Sequence, residues 1–363
     1  MPMLLSEIPN YQELPVETKT KEHLGVLDFL RGFAAVSVML YHFTGGPSTA
    51  HHHTGGILAK FFSPLLQSPF SWGNMGVQIF FVISGFVIPY SLWDSSYKVK
   101  DFFAYMLKRI LRICPPAYVI ILLILLQWLV VDYFIHHNLV RLSALTPEII
   151  IRNFLFLYDS ISPNWINPNW INGVFWTLAL EFQFYVVIGL LFNVLFNNRL
   201  IVTIAVFAAM SAMWFLPWHA NYPYYNSLFA LGGITLLYYK RRIELVSFLA
   251  SLAIFFLITY FIADFQQATF GLGTALVIAF VKMRSSFFSF FGKISFSLYL
   301  THVLVGSTTE FLLAKVFRPT TELGQILGIL IITAVACAAA YIYYLTVEQP
   351  ALRLIKKLKS AKQ

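Results

Sequence analysis

From Leu24 onward the chain alternates apolar runs with short polar breaks, and the runs fall near 24–44, 75–93, 111–135, 173–196, 200–217, 226–239, 245–263, 268–281, 295–314 and 325–347. Most approach the roughly 17 to 25 residues that a helix needs to cross a bilayer, so the pattern predicts membrane-spanning helices. Alternating ten-residue strands with polar lumen positions, the mark of a membrane barrel, are absent. The expected fold is therefore an all-α integral membrane protein with about ten transmembrane helices. Residues 1–23 are polar, with Glu7, Glu13, Glu17 and Glu22, so the first run reads as a retained anchor and not as a cleavable signal. The expected organisation is a cytoplasmic tail over 1–23, a membrane domain over 24–347 and a basic cytoplasmic tail over 348–363.

Composition agrees with this pattern: 58% of residues are hydrophobic, 11% are charged and the mean hydropathy is +0.72, far from a soluble balance. The net charge of +9 adds sidedness. With the amino terminus inside, 19 of the 25 Lys and Arg fall in inside segments, 5 fall in outside loops, and Arg31 lies within the first run. The positive-inside rule thus predicts both termini in the cytoplasm of a multi-pass protein of the cell membrane. Because the basic residues are spread over short loops, a nucleic-acid partner is not expected. Cys114 and Cys337 lack metal or redox spacing.

Against this background the polar residues inside apolar runs stand out. An arginine at the bilayer centre costs about 2.5 to 3.5 kcal/mol on insertion scales, so intramembrane charges are functional candidates. The first run, LDFLRGFAAVSVMLYH, holds Arg31 and His42 eleven residues apart. Eleven helical residues rise about 16 Å and complete three turns plus about 20 degrees, which sets both on one face, with Asp28 one turn before Arg31 and able to pair with it. In FWTLALEFQFY, Trp176 or Thr177, Glu181 and Tyr185 repeat at helical spacing, with Glu181 about 10 Å below the outer edge. Ser295, Tyr299 and His302 form a third stripe in ISFSLYLTH, with Glu310 further along it. The Arg31 and His42 pair alone reads equally well as a snorkelling arginine with an interfacial histidine, Glu181 has a structural carboxylate as its alternative, and a lone His302 reads more often as an interhelical hydrogen-bonding group; three such stripes in one bundle predict a shared polar cavity.

Two cytoplasmic arginines, Arg109 and Arg112, sit one turn apart, where their planar guanidinium groups can reach one polyanion; ordinary inside charge is the competing reading. His51, His52 and His53 run consecutively, which spreads their rings too far for one metal ion, and no metal is expected. Ser84-Gly85 and Pro89 in the second run suggest close packing or a kink.

Taken in order, LDFLRGFAAVSVMLYH, GVQIFFVISGF, RILR with Pro115 and Tyr118, FWTLALEFQFY, ISFSLYLTH and VEQP at Glu348 to Pro350 resemble the membrane-bound acyltransferase-3 family over nearly the whole chain. Members move acetyl or other short acyl groups onto sugars of surface and secreted glycans, and some append an esterase-like domain. Since the chain ends 16 residues after its last run, the stand-alone type is expected. The resemblance implies an O-acetyltransferase that takes acetyl-CoA or another acyl-CoA as donor and a glycan or glycolipid as acceptor. It assigns Arg31, His42 and Glu181 to catalysis, Arg109, Arg112 and Arg31 to the acyl-CoA phosphates, and Trp176, Tyr185 and His302 to substrate binding. The expected geometry runs the donor along the Arg31 to His42 stripe with its thioester near His42, which acts as general base or, as the lesser alternative, as a transient acyl carrier, while Glu181 orients it or binds the acceptor. A transporter of a glycan intermediate or anionic solute is the alternative, although no inverted repeat is visible.

Overall fold

The computed structural model describes residues 16–44, 68–135 apart from 94 and 96, 142, 145–157, 171–196, 199–216, 221–283, 286–317 and 321–360. His51, His52 and His53, and the Asn-, Pro- and Trp-rich stretch 158–170, lie outside them. Every expected run is helical: α1 (Val16–Thr44), α2 (Gly76–Trp93), α3 (Phe102–Ile135), α5 (Phe175–Leu195), α6 (Leu200–Ala212), α7 (Asn221–Tyr239), α8 (Leu245–Ile262), α9 (Phe265–Phe280), α10 (Ser286–Val316) and α11 (Glu322–Tyr343). A short α4 (Pro147–Phe154) precedes α5, and α11 continues through a π turn, Tyr344–Glu348, into α12 (Gln349–Ser360). Among the described residues there is no strand.

Helix starts follow local chemistry. Thr146, Asp264 and Thr321 open α4, α9 and α11, each accepting a hydrogen bond from the backbone N–H three residues on (Ile149, Gln267 and Gly324). At α1 the helix begins eight residues before the apolar run, because ETKTKEHL contains no breaker and its Glu and Lys are good helix formers.

Among the described residues seven helical stretches are long and apolar enough to cross a membrane, which makes this a multi-pass membrane protein. The other three expected runs differ for physical reasons. With 13 residues, α6 rises only about 20 Å, and the 16 of α9 about 24 Å, both short of a roughly 30 Å core. Although α7 has 19 residues, it carries Tyr222, Tyr224, Tyr225, Asn226 and Ser227, which lower its hydropathy. It is surrounded by α2, α6, α8 and α9. There the Asn226 amide donates to Phe207 O (2.8 Å) and Ser211 Oγ (2.9 Å), so its polar groups are satisfied by protein. By contrast, α3 leaves Leu122, Leu126 and Leu129 exposed on the surface that would meet lipid.

The expected close packing at Gly85 is observed. A Cβ on Gly85 would lie 2.1 Å from Phe229 O, and one on Gly232 would lie 2.1 Å from Val82 O, so α2 and α7 touch backbone to backbone. Overpacking such a contact costs about 1 to 3 kcal/mol or more. Gly85→Val is expected to lower the melting temperature of the purified protein by several degrees, read by tryptophan fluorescence; unchanged melting would contradict this packing.

Candidate active site

Five helices converge on one cavity, enclosing about 890 Å³ with its mouth included. Arg31 enters it from α1, Ser84 from α2, Arg109 and Arg112 from α3, Thr177, Glu181 and Tyr185 from α5, and Ser295 and Tyr299 from α10. Three of the sequence stripes therefore meet, as does the arginine pair. Phe80, Phe81, Val87 and Ile113 fill the remaining wall, so the charges sit in a largely apolar chamber. In such surroundings an electrostatic interaction counts for more than it does in water.

Two of these charges, Arg109 and Glu181, are held by neighbouring side chains. The Arg109 Nη2 donates to Ser91 Oγ at 2.6 Å, and its guanidinium lies 5.3 Å from the ring centroids of both Tyr105 and Tyr185. Two aromatic faces and a hydroxyl thus fix a buried cation. Tyr185 Oη in turn donates to Glu181 Oε1 at 2.5 Å, and Ser84 Oγ reaches the same oxygen at 3.5 Å. One turn beyond Arg112, Pro115 and Pro116 lack amide protons, which removes the helical donors to the carbonyls of Leu111 and Arg112. The Pro116 carbonyl itself accepts a hydrogen bond from Tyr343 on α11.

At the far end of the wall, Thr177 Oγ1 and Tyr299 Oη share a hydrogen bond of 2.8 Å. The Tyr299 ring lies 5.9 Å from His302, and His302 lies 5.3 Å from His42, ring centroid to centroid. His302 is fully buried, and its Nδ1 faces the Leu298 carbonyl at 3.1 Å. A carbonyl only accepts, so Nδ1 carries the proton and Nε2 is left as a buried lone pair with no hydrogen-bond partner.

The structure alters three expectations. Arg31 lines the cavity but His42 does not; it stands beside His302, because an 11-residue rise carries it beyond the cavity's end. Asp28 does not form an ion pair with Arg31, although the two lie within electrostatic range. Gly292 of α10 packs directly against the Asp28 backbone and Cβ. Of the alternatives at the head of the α5 stripe, Thr177 takes the cavity position, while Trp176 packs against Tyr225 (5.5 Å) and Phe81 (6.3 Å). Sequence reasoning missed Tyr105 and Ser91. Tyr105 carried a signal, its spacing of four from Arg109; Ser91 carried none, since it reaches Arg109 only through packing of α2 on α3.

Residues 24–345 match the acyltransferase-3 family, described as an acyltransferase domain. The chain belongs to this family. Among its relatives is ORF330 of Acidianus two-tailed virus, 27% identical over 86% of this chain and 88% of the viral protein. Nodulation protein 10 of Rhizobium leguminosarum is 26% identical over 72% of this chain and 73% of its own length. The peptidoglycan O-acetyltransferase OatA of Listeria monocytogenes is 26% identical over 46% of this chain, and the match spans only 24% of that longer protein. No solved structure matches the chain significantly. Within the acyltransferase-3 frame, the family region runs from within α1 through α11 and holds every cavity-lining residue. Among the described residues no group of three or more His, Cys, Asp or Glu is placed to hold a metal ion.

Proposed function

We propose that the protein is a membrane O-acyltransferase that moves an acetyl or other short acyl group from acyl-CoA to a hydroxyl of a glycan or glycolipid. The observation that carries this reading is the convergence of Arg31, Arg109 and Arg112 in one chamber that leads by Tyr299 toward a histidine pair. Three guanidinium groups in an apolar wall suit the phosphates of a coenzyme A head. The sidedness predicted by the charges puts that basic end toward the cytosol, where acyl-CoA is made.

Acyl transfer needs a base for the attacking hydroxyl and charge stabilisation at the carbonyl oxygen. His42 takes the proton from the acceptor hydroxyl as its oxygen bonds to the thioester carbonyl carbon. The tetrahedral intermediate then collapses, breaking the C–S bond, and the departing thiolate recovers the proton from His42. His302, whose Nδ1 donates to Leu298 O, stands with its ring centroid 5.3 Å from that of His42 and borders the base on its buried side. Glu181 anchors Tyr185, which packs edge to face with Tyr105 and with it presents two rings to Arg109, so the carboxylate serves the donor end. Trp176 supports the wall from behind through Phe81.

Purified protein in lipid vesicles, given labelled acetyl-CoA and a surface-glycan extract, is expected to release coenzyme A thiol and to label the glycan. Intact thioester after prolonged incubation, with glycan transported instead, would replace this reading by the transporter.

A further inference from the structure

Glu348 closes the π turn that joins α11 to α12, just after Tyr343, whose hydroxyl donates to the Pro116 carbonyl one turn from Arg112 on α3. Its carboxylate is buried, with 6% of the residue exposed, and Oε2 accepts a hydrogen bond from Ser297 Oγ of α10 at 2.5 Å. Arg31 of α1 and Arg112 of α3, both cavity-lining, lie within electrostatic range of it. The turn also packs on α3, and α12 lies along α3. A π turn adds a residue per turn at a cost in hydrogen-bond geometry, and such turns recur where a side chain must be re-aimed. This one holds an acidic group against Ser297, which lies between the cavity-lining Ser295 and Tyr299 on α10.

We infer that Glu348 is an internal counter-ion of the basic cavity: in the empty protein it offsets Arg31 and Arg112, and it opposes the entry of a polyanionic phosphate ligand. The inference rests on the reading of the arginine chamber as the donor site, but concerns phosphate chemistry and not acyl transfer. Glu348 is a positioning residue, acting through the arginines. Two opposed effects follow from one charge. Without ligand, Glu348→Gln leaves the arginines uncompensated and destabilises the protein; with a phosphate ligand, the same change removes a repulsion and tightens binding. Gln keeps an oxygen to accept from Ser297, so the hydrogen bond survives while the charge is lost.

The test uses full-length protein in discs of neutral lipid, with inorganic pyrophosphate and coenzyme A as separate probes. Glu348→Gln is expected to melt about 3 °C below wild type without ligand. Pyrophosphate should restore its melting and bind it about tenfold more tightly than wild type. Glu348→Asp, which keeps the charge, should lie close to wild type in both measurements. Equal or weaker pyrophosphate binding by Glu348→Gln would overturn the inference, as would equal loss of stability in both variants, which marks a packing role alone. A protein that binds pyrophosphate in this pattern but ignores coenzyme A would keep the inference and remove acyl-CoA as the donor.

Discussion

His42→Ala is expected to abolish acyl transfer, lowering the rate by at least about a thousandfold, while leaving the protein in the membrane and its coenzyme A affinity within about twofold of wild type. A general base contributes about 10² to 10⁴ in rate. The size follows from the absence of a replacement: His302 is fully buried, its Nδ1 is committed to Leu298 O, and His42, half-buried, is the more accessible member of the pair. The affinity should hold because His42 does not line the arginine cavity. Product release from acetyl-CoA and equilibrium binding of coenzyme A, measured on the same preparation, separate the two effects. Full turnover in His42→Ala would move the base elsewhere and sink the mechanism, whatever the binding result.

Arg112→Ala is expected to do the reverse, weakening coenzyme A by about thirtyfold with a smaller effect on the maximal rate. A hydrogen bond to a charged group is worth about 1.5 to 3 kcal/mol, and a thirtyfold loss corresponds to about 2 kcal/mol, within that range. Arg112 is the cleaner probe than Arg109. Arg109 packs over the rings of both Tyr105 and Tyr185 and is bonded to Ser91, so its removal also strips packing. Arg112→Lys should recover only part of the affinity, since an ammonium cannot bridge two phosphate oxygens as a guanidinium does. Raising salt should weaken wild-type binding more than that of Arg112→Ala. An affinity unchanged in Arg112→Ala would assign this arginine to inside charge alone.

Much of the architecture was legible in the chain. The ten apolar runs are ten helices, and the boundaries of α2, α5 and α8 agree with expectation within about three residues. Run length was less informative about spanning: α6 and α9 are short, and α7 buries its polar groups against neighbours, which hydropathy alone reports only as a weaker run. At the site, the residues carried by the sequence stripes do meet, and Arg31, Arg109, Arg112, Glu181 and Tyr185 share one cavity. The places where the reading went astray share one cause. Helical periodicity tells which residues lie on a common face, and an α-helix drifts about 20 degrees over eleven residues. It does not tell which neighbour that face meets at each depth.

The sequence by itself therefore determined the helices, the uneven distribution of basic residues along the chain and the angular phase of each polar side chain, because these depend on hydropathy and on a fixed 3.6-residue turn. Tertiary structure alone decided that Thr177 and not Trp176 lines the cavity, that His42 stands against His302, and that Glu348 accepts a hydrogen bond from Ser297 of α10. Those outcomes depend on how closely and at what rotation helices pack. Contacts such as Gly85 against Phe229 and Gly292 against Asp28 set that packing between segments far apart in the chain.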